Sequence, residues 1–185
     1  MPERSVILLA EDLEDDILLI RRAFAAARVA IPLHVVRDGE EVLAYLSGLG
    51  KYSSRDEFPL PDLILLDLKM PNMDGFEVLR WIRHEPTLSS LRVVILTSSN
   101  RLQDINAAYQ LGANSFLVKT MGFDQFVETV KATMHYWLRL DRAPEIHRRP
   151  AYSFSTPLVQ YLESSSGGGT FRGRTTRKPR NRASV

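Results

Sequence analysis

Five short apolar runs alternate with stretches of helical spacing, and this alternation limits the possible folds more tightly than anything else in the chain. The runs are 5–10 ("SVILLA"), 33–36 ("LHVV"), 62–67 ("DLILLD"), 92–99 ("RVVILTSS") and 114–119 ("NSFLVK"). Strands that are apolar on successive residues are buried on both faces, as in a parallel sheet covered by helices on both sides. The intervening segments carry the helical period. Ile17, Ile20, Phe24 and Ala27 share a face within 14–28, and "EEVLAYLSG" closes at Gly48. "FEVLRWIRH" sets Phe76, Leu79 and Ile82 or Val78 on one side, and "LQDINAAYQLG" stops at Gly112. "FDQFVETVKATMHYWLRL" forms a long last helix, and 49–61 is a long polar loop with two prolines. The expectation is an α/β fold with a doubly wound five-stranded parallel sheet and right-handed crossovers.

In such sheets the ligand site lies outside the carboxyl ends of the strands. Glu11 and Asp12, Asp67, Thr97 and Lys119 stand at those ends. Like charges gathered at one rim are costly unless a cation joins them or they point into water. Three carboxylates from Glu11, Asp12 and Asp67 suit a hard divalent cation such as Mg²⁺. Lys119 adds a positive charge and Thr97 a hydroxyl, groups that would stabilise a transferring phosphoryl group. Asp67, central among them, is the natural nucleophile for a covalent aspartyl phosphate. The further acids Glu14, Asp15 and Asp16 are expected in solvent, starting the first helix where its dipole favours negative charge.

Composition excludes several other chemistries. With no cysteine among 185 residues there is neither disulfide nor thiolate metal site. His34, His84, His135 and His147 are too scattered for a zinc centre. No apolar run approaches a membrane span, and 1–4 do not begin a signal peptide, so the cytoplasm is the expected compartment. The net charge of +2 is unevenly spread. Residues 145–185 hold eight Lys and Arg against two Asp and Glu, a net of +6; the remainder holds 16 against 20, a net of −4. One domain is expected, 4–142, followed by a Ser/Gly/Arg-rich basic tail, 143–185, with the composition of a disordered segment. Such a tail could contact nucleic acid or an acidic surface, and "PLVQYLE" (157–163) could act as a docking peptide.

Glu11-Asp12, Asp67, "MPNMDG" (70–75), Thr97-Ser98 and Lys119 together resemble the receiver domain of bacterial two-component response regulators. The likeness spans about residues 4–140. The 49–61 loop and the "YWL" ending (136–138) are similar to small receivers that partner bacterial phytochrome kinases. The resemblance implies a flavodoxin-like sheet of order 2-1-3-4-5. It implies that Asp67 accepts phosphate from a sensor histidine kinase, and that Asp12, Asp67 and the Lys69 backbone carbonyl bind Mg²⁺. Glu11 would act through a metal-bound water, and Lys119 would pair with the phosphoryl oxygen. Thr97 would swing to the phosphate while Phe116, the switch aromatic, turns inward. Thr120 departs from the family's proline after the lysine, where a cis bond is usual; before a non-proline that bond costs about 2.5–4 kcal/mol.

The implied role is a single-domain phosphorylation switch, not an enzyme, with at most slow phosphotransfer and dephosphorylation of its own. An aspartate-based phosphohydrolase would need a second Asp two positions after the first as acid/base; Lys69 stands there. An FMN module would need a hydroxyl- or glycine-rich phosphate loop where Glu11-Asp12 stands. A DNA-binding output would need a helix–turn–helix pattern after Leu140, which is not present. Lys69 and Ser99 flank the site as candidate modulators of hydrolysis. Phe76, Trp81 and Tyr109 are read as packing, and Asp74-Gly75 as a turn and helix start. Phe123, Phe126, Val127, Val130, Met134, Trp137 and Leu138 make an apolar set wider than one core stripe. The excess near Met134 and Trp137 is expected to be exposed and to support a homodimer through the last helix.

Overall fold

The computed structural model describes residues 5–119 and 122–140. Five strands, β1 (Ile7–Ala10), β2 (Leu33–Val36), β3 (Leu63–Leu66), β4 (Arg92–Thr97) and β5 (Ser115–Val118), alternate with five helices. These are α1 (Glu14–Ala26), α2 (Gly39–Ser47), α3 (Gly75–His84), α4 (Leu102–Gln110) and α5 (Phe123–His135). All strand pairs are parallel, in the order β2-β1-β3-β4-β5. The chain therefore reverses its direction of winding between β1 and β3, and a crevice opens beyond their carboxyl ends. Ala10 pairs with Leu66, which sets residues 11 and 67 at one level. Thr97 pairs with Val118, which brings Lys119 to the same rim.

Alternate strand residues face opposite layers. Ile7, Leu9, Leu63, Leu65, Val94 and Leu96 join Ile17, Ile20 and Phe24 of α1 and Phe126, Val130 and Met134 of α5 in one core. Leu8, Ile64 and Leu66 are fully buried as well, so neither face is left to water. Local chemistry fixes the helix starts at the rim. The Asp38 carboxylate accepts from the Glu41 N–H at 2.7 Å, capping α2. Asp74 and Glu77 form a reciprocal capping box at α3. Gly48, at φ 67°, closes α2.

Several expectations need correction. The last helix keeps α geometry only to His135 and then widens into a π-helical turn, Tyr136–Leu140. Met134 is buried, because it completes the stripe of Phe126 and Val130 against the sheet. Trp137 is half-buried against the same core, and the exposed aromatics of this region are Phe123 and Tyr136. Tyr109 is exposed rather than packed, whereas Trp81 is buried as expected. The 49–61 loop is not simply polar. It contains a 3-10 turn (Gly50–Tyr52), buries Tyr52, and packs Phe58 edge-on against both Tyr45 and Tyr52, with Tyr52 tilted against Tyr45. Arg55 holds it down by donating to the carbonyls of Tyr45, Leu46 and Phe58. The expected boundary at 142/143, the tail with its 157–163 segment, and the Lys119–Thr120 peptide lie outside the described residues.

Gly75, the first residue of α3, lies against the backbone that carries the rim. A Cβ there would meet the Asp67 carbonyl at 2.2 Å and the Leu68 Cα at 2.8 Å. Backbone cannot yield as a side-chain tip can. Gly75→Ala is expected to destabilise the fold by about 1–3 kcal/mol, read as a lower urea midpoint; an unchanged midpoint would show that α3 can retreat at no cost.

Candidate functional site

The rim is built from four strand ends. Glu11 follows β1 and is buried, with its N–H bonded to the Val36 carbonyl at 3.0 Å. Its Oε1 accepts from the Leu13 N–H at 3.2 Å, at the N-cap of α1. Asp12 beside it is half-buried. Asp67 follows β3 and is buried; its N–H donates to the Ala10 carbonyl at 3.0 Å, and its Oδ2 accepts from the Lys69 N–H at 2.9 Å. The Lys69 side chain itself is exposed. Thr97 ends β4, fully buried, and its Oγ1 accepts from the Ser99 N–H at 3.4 Å. Ser99, also buried, donates its hydroxyl to Asp104. Phe116 lies further back on β5, half-buried and paired in register with Ile95, so it belongs to the sheet and not to the rim.

Lys119 closes the arrangement. Its side chain is buried, and its ammonium meets Glu11 Oε2, Asp16 Oδ2 at 2.9 Å and Asp67 Oδ1 at 3.3 Å. Burial works against the lysine's charge, but the Asp67 carboxylate and the hydrogen bonds to Glu11 and Asp16 outweigh it and raise its pKa. Burial pushes the Glu11 carboxyl up, while Lys119 pulls it back. Asp16 was expected in solvent with Glu14 and Asp15; the structure corrects this and brings it to the lysine. The signal was present in the sequence. Asp16 stands four, seven and eight residues before Ile20, Ala23 and Phe24, so it continues the buried stripe of α1. Glu14 and Asp15 are exposed, and Glu14 pairs with Arg37 at 2.6 Å.

One carboxylate oxygen each from Glu11, Asp12 and Asp67 lies within 4.8 Å of the others. Asp12 Oδ1 and Asp67 Oδ1 are buried without a hydrogen-bond partner. Buried acceptors without a hydrogen bond suit a hard cation that takes oxygen ligands, and Asp67 Oδ1 has the Lys119 ammonium facing it at 3.3 Å. With the carboxylates ionised, the single ammonium leaves this cluster an excess of negative charge.

Residues 7–131 match the response regulator receiver domain family. Among curated proteins, the response regulator Rcp1 of Synechocystis sp. is 35% identical over 139 residues, covering 75% of this chain and 92% of Rcp1. Among solved structures, the response regulator RPA3017, described in red light signaling of R. palustris, superimposes with a TM-score of 0.73 at 35% identity, covering 76% of this chain and 99% of that one. The phosphorylated cyanobacterial phytochrome response regulator RcpA gives 0.69 at 39% identity, covering 77% and 99%. Rcp1 itself has been solved in a Mn²⁺-bound form, with a TM-score of 0.67 at 35% identity, covering 76% and 99%.

The crowding of carboxylates has a stability consequence. In the absence of divalent cation, Asp12→Asn is expected to stabilise the protein by about 1–2 kcal/mol, since it relieves repulsion at short range. Added Mg²⁺ should raise the melting temperature of the wild type more than that of the variant. Thermal melts in chelator and in Mg²⁺ check both; a variant that melts lower than wild type in chelator would refute the repulsion.

Proposed function

The chain belongs to the response regulator receiver family, which signals by phosphorylation, and we propose that Asp67 is its phosphoacceptor and the chain a phosphorylation switch. The observation that carries this reading is the meeting of Asp67 with Lys119, Glu11 and Asp12 at one rim. An Asp67 carboxylate oxygen attacks the phosphorus of a phosphorylated kinase histidine. The O–P bond forms as the N–P bond breaks, and the electron pair stays on the imidazole nitrogen, which then takes up a proton. Lys119 donates to a phosphoryl oxygen as charge moves onto the aspartate side. Asp12 and Asp67, with the Lys69 carbonyl, would hold Mg²⁺, and Glu11 would act through a water; bound there, the cation would supply positive charge against that of the transferring group. Turnover in the manner of a phosphohydrolase is not expected, because the exposed Lys69 stands where the acid/base would be.

The Thr97 hydroxyl, fully buried beside the rim, is the group that swings to the phosphoryl oxygen, and Phe116 turns inward behind it. A ligand shifts a two-state equilibrium only through contacts that differ between the states, and Thr97 supplies one. Phytochrome-type histidine kinases are the partners we favour, supported by the resemblance to RcpA and RPA3017. The cytoplasm is the proposed compartment; among the described residues no helix is long and apolar enough to cross a membrane.

With a small phosphodonor and Mg²⁺, the wild type is expected to gain an acid-stable, base-labile phosphate and Asp67→Asn none. Thr97→Ala should still be labelled, yet show smaller NMR shift changes along α4, β5 and α5. Equal labelling of Asp67→Asn overturns the acceptor, and shift changes of full size in Thr97→Ala overturn the coupling.

A second copy pairing through the end of α5 is proposed as the assembled state. Support comes from Tyr136, 51% exposed and stacked edge-on against the half-buried Trp137 at a ring separation of 4.8 Å. Light scattering of the full chain should give a dimer, and Tyr136→Ala a monomer that is still phosphorylated. A wild type that stays monomeric at high micromolar concentration, with and without phosphodonor, removes the dimer.

A further inference from the structure

Asp16 does not belong to the carboxylate group that could share a cation, which is Glu11, Asp12 and Asp67. It nevertheless reaches the rim. Its Oδ2 lies 2.9 Å from the Lys119 ammonium across 103 residues of sequence, and its side chain is only 26% exposed. The first turn of α1 is held in place by Ile17 and Ile20 in the core, so this carboxylate sits on a rigid element. An ammonium has three hydrogens to donate. Here Glu11 and Asp16 each take one, and Asp67 Oδ1 stands at 3.3 Å.

Two of those three acceptors are also candidate ligands of the cation. A dication and an ammonium competing for the same oxygens repel one another, so loading the rim weakens the lysine's hold on Glu11 and Asp67. Asp16 alone is outside that competition. A lysine stem is flexible and loses rotamer freedom when fixed, so it needs one anchor that the loaded site does not claim. We propose that Asp16 is the positioning residue for Lys119: it keeps the ammonium beside Asp67 while Asp12 and Asp67 hold the cation and Glu11 meets it through a water. The proposal rests on the reading of Asp67 as acceptor. It makes Asp16 a functional part of the site, and Asp15, its exposed neighbour on the same turn, a bystander.

The test follows phosphorylation of the full chain by acetyl phosphate in saturating Mg²⁺, comparing wild type, Asp16→Ala, Asp16→Asn and Asp15→Ala. Asp16→Ala should lower the rate at saturating donor by about tenfold, in keeping with the cost of a misplaced catalytic group, with KM for acetyl phosphate and the Mg²⁺ midpoint unchanged. Asp16→Asn keeps an acceptor oxygen but loses the charge, and should fall between Asp16→Ala and wild type. Asp15→Ala removes a charge from the same turn and should match wild type. The Lys119 ammonium signal in ¹⁵N NMR should be sharp in wild type and lost to solvent exchange in Asp16→Ala; loss of fold alone would not single out this resonance. If Asp16→Ala does not fold, Asp16→Asn decides: a rate equal to wild type overturns the proposal. So does an equal or faster rate in a folded Asp16→Ala, or an equal slowing in Asp15→Ala. A wild type that takes no phosphate overturns the Asp67 reading instead, so the two failures are told apart.

Discussion

The Lys119 ammonium is the interaction on which the rim depends. Glu11 and Asp67 are almost wholly buried, at 1% and 5% exposed, and sit at the ends of adjacent strands. Buried carboxylates without partners would cost several kcal/mol each. A lysine from the far end of the β2-β1-β3-β4-β5 sheet reaches across to meet both, and a third carboxylate from α1 as well. One ammonium cannot balance that set. The geometry is therefore folded but incomplete in charge, and this imbalance, set by strand order, is what suits the rim to the proposed cation and phosphoryl group.

The framework was legible because burial on both faces leaves an unambiguous mark. A run such as "LILL" in β3 has no polar alternate residue, and its shortness and flanking prolines point to a covered strand. The carboxyl ends of such strands converge, so the sequence alone makes Glu11, Asp12, Asp67, Thr97 and Lys119 expected neighbours. Asp16 is harder to read, because its charge and its periodicity point in opposite directions. Its spacing from Ile20 and Phe24 placed it on the inward stripe, but an acid at the start of a helix has a sufficient local explanation in the helix dipole. Met134 shows the reverse: the wide apolar set hides that Phe126, Val130 and Met134 recur at spacings of four and so define one stripe.

The 49–61 loop was illegible for a different reason. Its order comes from contacts distant in sequence: Tyr45 donates to the Pro59 carbonyl and meets His34 Nδ1, each at 2.9 Å. Tyr52 donates to Glu41 at 2.7 Å, and its phenol is pushed up to about 12 by burial and by that carboxylate. No periodicity within these thirteen residues announces such partners. Only the aromatic residues hinted that the segment had something to bury.

These contacts bear on the site through the helix starts. Tyr52 and Lys51 both hold Glu41, whose other oxygen accepts from the Arg37 N–H. Asp38, at the N-cap of α2, accepts from the Asn72 amide in the β3–α3 loop at 3.0 Å. A Cβ on Gly39 would meet the Met73 carbonyl at 2.4 Å, so α2 and that loop are in direct backbone contact. The β3–α3 loop is thus held from α2 on one side and by Gly75 against Asp67 on the other. Rigidity on this side of the crevice contrasts with the Lys119 side, where position depends on how one ammonium is shared among three carboxylates. Under the proposed phosphorylation, a change in charge at Asp67 would therefore meet close backbone contact on the β3 side and a shared ammonium on the β5 side.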